Sequence, residues 1–513
     1  MKRKILYSII AFLIIGMVGC KPKDEPIPQE PVTPTEQPKD STVTTDPQEP
    51  QEPEQPEKPQ DPEKPTQDDP STHRNSAYLY DLQAVPEITI TVTEENWNTY
   101  LRNFDENRDN GLYVPAAFSF TKDGVTYTRD SVGLRPRGNT SRKRPEGFGG
   151  ESHQRNNAQW HHAHFGIKFT EYTTGERFFG SDRIVLKFFN GDPTYCREVF
   201  CYDLFRRFGV WSAPKASYCR LYIHVEGDHQ PAYFGVYAMV EGVRKGWIDE
   251  RVKEGHLPDK NGNLWKAAYN GNGPADLSDF GYTQFSKMGV SDETHTYSYS
   301  LKTNKSRLSA AQSELYNFME EMRPLPSGSE ALKNYLEAHM DVDLFLRGLA
   351  VNVAVGMWDD YWVNANNYYF YFDSNHRFYF IPYDYDNTLG TTVPINGFQN
   401  AGTQDPLHWG SREGDRLLIR KVLSIAEYEE RYKQYLQTIV TSPDLMEPEA
   451  AIQRVQNFQS LIRNYVSNDT GEEMEITDQP AEWSQTRYLL LSGDSNGSDG
   501  SNYFRTKAKS MGI

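Results

Sequence analysis

Residues 377–390 read RFYFIPYDYDNTLG. An aromatic and branched apolar run enters an Asp-x-Asp pair, Asp384 and Asp386, and closes on Gly390. A buried strand that ends in carboxylates carries negative oxygens to a cleft mouth, where a hard divalent cation and phosphates can sit. Just upstream, residues 358–371 read WDDYWVNANNYYFY, a second polar cluster built from Asp and Asn. Between the two clusters, strands are predicted over 367–372 and 377–381. The turn Asp373-Ser374-Asn375-His376 joins them, and its residue types favour local hydrogen bonding.

On either side of this hairpin the apolar spacing is helical. It predicts helices over 309–322, 330–338 and 342–355 before it, and over 417–425, 428–438 and 449–465 after it. Earlier in the chain the period is two. Residues 87–92 read EITITV, and further strands are predicted over 116–121, 126–135, 164–169, 183–188, 217–225 and 232–241. Thr93 caps a helix start. One more helix is predicted over 194–208, with a stripe at 199, 200, 204, 205 and 208 and a stop at Gly209. The expected class is α+β: a β-rich lobe with one central helix over 77–270, then a mainly helical lobe over 271–513.

The 513 residues carry 54 Lys and Arg against 71 Asp and Glu, a net charge of −17. That balance argues against a nucleic-acid partner, which would call for a basic face. Residues 21–72 alone hold 14 acids and 5 lysines among repeated Gln-Glu-Pro and Glu-Lys-Pro units. Such a stretch lacks the apolar residues a core needs, and its prolines favour an extended spacer. Residues 20–76 therefore read as a tether.

Residues 1–19 read as a leader. Lys2, Arg3 and Lys4 precede an apolar run, and Met17-Val18-Gly19-Cys20 resembles a bacterial lipobox. The resemblance implies a lipid on Cys20, hence a protein anchored to a membrane rather than spanning it. Lys21-Pro22-Lys23-Asp24-Glu25 resembles the acidic signal that exports lipoproteins of Bacteroides-like, Gram-negative bacteria to the outer-membrane surface. Three further cysteines, Cys196, Cys201 and Cys219, read as small buried apolar residues.

The order of polar groups along the chain is that of kinase-type phosphoryl transfer. Lys187 ends one strand, Glu198 follows on a helix, and Val240-Glu241-Gly242 forms an exit from two more strands. The Asp/Asn cluster and Asp384 come later. In such sites a Lys neutralises nucleotide phosphates and a helix Glu orients it. One Asp handles the nucleophile's proton, and an Asn and an Asp hold metal.

Five stretches resemble the CotH-type (spore coat protein H-like) atypical kinase family: 135–141 (RPRGNTS); 185–187 with 192–194 and Arg197; 233–237 (YFGVY) with Glu241; 366–369 (NNYY); and 381–386 (IPYDYD) with Gly390. The resemblance implies a divergent protein-kinase-like, two-lobed fold. It also implies ATP with Mg or Mn, and phosphorylation of Ser or Thr on a secreted or surface protein. Asp384 matches the metal-binding Asp, with Asp386 as a second ligand. Asp359 or Asp360 falls at the catalytic Asp, and Asp359 is favoured by its five-residue step to Asn364. Asn364, Asn366 and Asn367 compete for the metal-binding Asn. Lys187 and Lys168 compete for the phosphate contact, with Glu198 and Glu241 as further nucleotide-site residues. No G-x-G-x-x-G loop is present, and Arg137-Gly138 stands in its place.

Other readings compete. Because ATP is scarce outside cells, a catalytically inactive surface protein acting in adhesion or assembly is the alternative class. Arg197 pairs with a core Asp or meets phosphate. Glu198 is a solvated helix charge or the orienting acid. Residues 160–164 (WHHAH) read as a surface His cluster rather than a zinc site, and the tyrosines of 361–371 as packing. The stretch between Arg142 and His164 reads as a lid or a disordered excursion.

Overall fold

The computed structural model describes residues 76–466 except 140, 176, 193, 278–281, 293–294, 392–400 and 411–415, together with 476–478 and 502–512. The leader, Cys20, the tether up to residue 75, Thr140 and Pro193 lie outside the described residues. The chain is a mixed α+β protein.

Alternation of apolar and polar residues builds seven strands into a closed barrel. The elements in chain order are β1 (Glu87–Val92), α1 (Glu94–Glu106), β2 (Val114–Lys122), β3 (Val125–Arg137), β4 (Trp160–His161), β5 (His164–Lys168), β6 (Arg183–Lys187), α2 (Arg197–Arg207), β7 (Ala216–Val225) and β8 (Ala232–Glu241). The barrel order is β1-β2-β3-β5-β6-β8-β7. All its pairings are antiparallel except the closure, where β1 runs parallel to β7. Ile88, Ile90, Phe118, Leu134, Phe165, Leu186 and Leu221 fill the interior. The opposite pleat of β6 and β8 (Val185, Ala238, Val240) joins a second core. Thr93 caps α1 as expected, its Oγ1 accepting the Asn96 N–H at 3.1 Å.

The second core is formed by α3 (Lys245–Lys253), β9 (Asn263–Ala267), β10 (Met288–Gly289), β11 (Tyr299–Leu301), α4 (Leu308–Met322), α5 (Glu330–His339), α6 (Val342–Ala354), β12 (Tyr368–Phe372), β13 (Phe378–Pro382), α7 (Leu417–Leu423), α8 (Ala426–Thr441), α9 (Pro448–Ile462) and a last helix, Tyr503–Ser510. Its sheet runs β10-β11-β9-β12-β13. β9, which the sequence reading missed, pairs antiparallel with β12, setting Lys266 opposite Tyr369. The predicted hairpin β12–β13 is present, and Asp373 Oδ1 closes its turn by accepting the N–H groups of Asn375 and Arg377.

Three expectations change. The central helix was read from a one-sided stripe, yet every residue from Arg197 to Phe205 in α2 is buried, because the helix is wedged between the barrel and α6. His162 and His164 are buried rather than on the surface. They flank the Phe188 ring, and His162 Nε2 lies 2.9 Å from the Phe234 carbonyl. The stretch 142–164 is a packed loop, not an excursion. Its Glu146 is buried, accepts the Trp97 Nε1–H at 2.7 Å, and lies 3.0 Å from His153 Nδ1. Cys196, Cys201 and Cys219 are free and buried, as expected. Among the described residues no helix is long and apolar enough to cross a membrane.

Candidate active site

Lys187 stands at the end of β6 on the outer pleat of the barrel and points at the start of α2. Its Nζ lies 2.7 Å from Glu198 Oε2 and 3.4 Å from Asp386 Oδ2, and it makes a close ion pair with Asp384. Glu198 is only 4% exposed, so the solvated-charge reading fails. Asp384 follows β13 directly, with φ +69, a left-handed conformation that a non-Gly residue rarely adopts. Its N–H donates to Tyr202 Oη of α2 at 3.0 Å, which helps to hold that turn. Arg137 donates to Tyr383 Oη at 2.8 Å, beside Asp384. A Cβ at Gly138 (φ +104) would come within 3.0 Å of the Arg142 backbone, so the turn after β3 needs glycine.

The electrostatics of this cluster are uneven. Burial pushes the Glu198 carboxyl up to about 7, and Lys187 offsets only part of that against the charges of Asp384 and Asp386. Burial likewise pushes Asp386 up to about 6. Asp384 goes the other way. Burial would raise it, but the charge and hydrogen bond of Lys187, joined by Lys266 and His164, together hold it below the usual carboxylate range.

The two neighbouring aspartates of the polar loop part company. Asp359 is caged by amides: Asn364 and Asn366 donate to Oδ1 at 2.5 and 3.0 Å, and Asn367 donates to Oδ2 at 2.8 Å. It is close enough to Asp384 and Asp386 to feel or impose charge on each, and burial raises its pKa first of all. Asp360 turns inward. It accepts from Asn352 Nδ2 at 2.5 Å and the Val363 N–H at 2.7 Å, and burial pushes it up to about 6.

Several expected residues are placed elsewhere. Lys168 pairs with Glu171 at the other end of β5, opposite Arg183, so strand length separates it from the Lys187 cluster. Both Glu241 carboxylate oxygens are taken by Arg251, at 2.9 and 2.8 Å. Arg197 pairs with Asp192 and donates to the Thr388 carbonyl at 3.0 Å, so it has the core-acid role. The Asn366 carbonyl oxygen accepts the Tyr269 N–H at 2.8 Å, leaving the side-chain oxygens of Asn364 and Asn367 as the amide donors for a cation.

Residues that sequence reading did not single out also reach this region. Lys266 of β9 lowers the Asp384 pKa alongside Lys187. Arg244 donates to Tyr369 Oη at 3.1 Å. The apolar pair Leu264-Trp265 next to the breaker Gly262 was the available signal for β9.

Among the described residues no three His, Cys, Asp or Glu side chains converge tightly enough to hold a metal by themselves. The donor set nevertheless suits a hard divalent cation. Glu198, Asp384 and Asp386 put three carboxylates around one ammonium, and amide oxygens stand nearby.

The family model described as "CotH kinase protein" matches residues 134–490. A curated relative, spore coat protein homolog 1 of Rhizopus delemar, is 25% identical over 207 residues. That match covers 39% of this chain and 29% of the relative, so the chain spans under a third of that protein's length.

Proposed function

We propose a function from one premise: the chain belongs to the CotH kinase protein family, whose matched stretch takes in Lys187, Glu198, Asp359 and Asp384. Its role is to transfer the γ-phosphoryl group of ATP to a Ser or Thr hydroxyl of a secreted or surface protein. The observation that carries this reading is the Lys187 ammonium, 2.7 Å from the helix acid Glu198 and paired with Asp384 at the strand end. The strand–helix order around it, with two strands leading from the helix to the exit segment, supports the kinase-like, two-lobed reading.

Each residue has a role in that chemistry. Glu198 fixes Lys187, which meets the phosphate oxygens. Asp384 and Asp386, with the side-chain oxygen of Asn364 or Asn367, would hold Mg or Mn, which neutralises charge on the phosphoryl oxygens. The three amides aim Asp359, whose Oδ2 accepts one amide N–H, from Asn367, and keeps a lone pair for the acceptor hydroxyl. Asp359 takes the proton as the acceptor O–P bond forms and the bridging P–O bond of ATP breaks, releasing ADP. Little covalent work falls to the protein, so orientation and charge supply most of the effect. A lipid on Cys20 and the spacer behind it would present this domain at the outer face of a Gram-negative outer membrane.

The test is thermal shift with ATP, with and without Mn or Mg, on the wild type and Asp384→Ala. The wild type should shift only with metal and nucleotide together, and the variant should lose that shift. An unchanged Mg·ATP affinity in Asp384→Ala would remove the assignment. No shift of the wild type at millimolar ATP would favour the adhesive alternative.

A further inference from the structure

The outer pleat of the barrel that leads away from Lys187 carries a run of cations. Strand alternation puts Arg135 and Arg137 of β3 on the pleat opposite Leu134 and the barrel interior. Facing them are Arg244 at the entry to α3, Lys266 of β9 and Lys302 just after β11. The group is mutually close: Arg135 feels Arg137 and Arg244, and Lys302 feels Arg244, Lys266 and Arg135. All five are half-buried. Among the described residues, none of the five has a carboxylate oxygen within ion-pair distance.

Their present hydrogen-bond partners are hydroxyls and a backbone carbonyl rather than carboxylates; burial would raise the Tyr369 phenol, but Arg244, Lys266 and Arg137 pull it down to about 7. Arg135 lies 5.1 Å over the Tyr113 ring, and among the described residues its Nε has no hydrogen-bond partner. Arg244 and Arg137 donate to the phenols of Tyr369 and Tyr383, whose rings meet edge to face at 4.9 Å. Lys302 Nζ lies 2.5 Å from Ser300 Oγ. Gly166 leaves room for the stems, since a Cβ there would sit 2.9 Å from Arg137 Cγ. Gathering half-desolvated like charges is costly without a counter-charge. In a chain of net charge −17, this cleft gathers five cations, and the carboxylate that acts on Arg137 and Lys266, Asp384, is already paired with Lys187.

We propose that this cleft, lined by Arg135, Arg137, Arg244, Lys266 and Lys302, is a phosphate-binding site that takes a multiply charged phosphate group without needing a divalent cation. Guanidinium forks and ammonium groups are the donors that match phosphate oxygens. The source is either the phosphate chain of the nucleotide or a phosphorylated acceptor held next to the Lys187–Asp384 centre. The proposal stands apart from the metal reading, because none of its five residues is a carboxylate.

The probe is inorganic tripolyphosphate, titrated calorimetrically into the full chain in the presence of EDTA. Binding should be seen in the wild type and kept in Asp384→Ala, so failure of the kinase reading leaves it standing. Arg244→Met and Lys266→Met should each weaken it about tenfold or more, the cost of a lost charge-assisted hydrogen bond. Both variants should melt no lower than the wild type, because each relieves repulsion. If either melts lower, Lys302→Met serves as the third variant. Displacement by Mg·ATP identifies the nucleotide's own phosphates as the occupant, and simultaneous binding identifies a phosphorylated acceptor. No binding at millimolar tripolyphosphate, or equal affinity in the methionine variants, overturns the site.

Discussion

Two adjacent carboxylates, Asp359 and Asp360, have opposite fates, and the difference lies in who donates to them. Asp359 takes three side-chain amides and stays near Asp384, whereas Asp360 takes a backbone N–H and a buried Asn352, and is 5% exposed. Asn352 also accepts the Tyr385 hydroxyl at 2.9 Å, so Asp360 anchors the polar loop to α6 and to the turn carrying Asp384 and Asp386. Substitution should separate the two roles. Asp359→Asn should cost less stability than Asp360→Asn, because its amide donors are only part-buried, and should cut phosphoryl transfer by roughly 100-fold or more, the range of a lost general base. Asp360→Asn should instead cost about 1–3 kcal/mol of stability in urea unfolding, because a buried donor loses its acceptor. Equal losses of stability in both variants would mean that Asp359 is structural too.

At the scale of elements, the loop after β3 shows what the sequence concealed. Glu146, His153 and Asp228 tie that loop to Trp97 of α1 and to the turn between β7 and β8. Burial alone would lower the His153 pKa, but the bond and charge of Glu146, with Asp228 behind it, raise it above 6.5. A raised histidine contributes its full stability below its unfolded pKa and loses it as pH climbs through the folded value. His153→Gln should therefore lower the melting temperature by roughly 2–4 °C more at pH 6 than at pH 9. A constant difference across that range would place the imidazole outside the titrating network. The strands with regular alternation, such as 87–92 and 116–121, were legible because burial follows a period of two. Others were not: β10 and β11 are two and three residues long, too brief for a period to show, and β9 sets Leu264 and Trp265 side by side, which breaks the alternation. Lys187, Glu198 and Asp384 were legible from their order along the chain. The cationic cleft was not, since Arg244, Lys266 and Lys302 meet Arg135 only after β9 pairs with β12.

The whole molecule has two cores that share a wall. Ile184 and Leu186 of β6 face the barrel interior, while Val185 between them faces the helices. A strand that serves both cores cannot lose one without disturbing the other. Residues 76–466 should therefore unfold in a single calorimetric transition, with the van't Hoff and calorimetric enthalpies equal. Two resolved peaks would show that the barrel and the helical part come apart separately. The barrel's closing seam carries a further cost in time. Glu87 meets Arg220 across that seam, so one side of β1 has no neighbour until about 130 more residues have been made. A chain that emerges amino end first holds a sticky β-edge open throughout that interval. Under the proposed export across a membrane before folding, such slowness would help passage, and the hazard would pass to whatever escorts the naked ribbon on the far side.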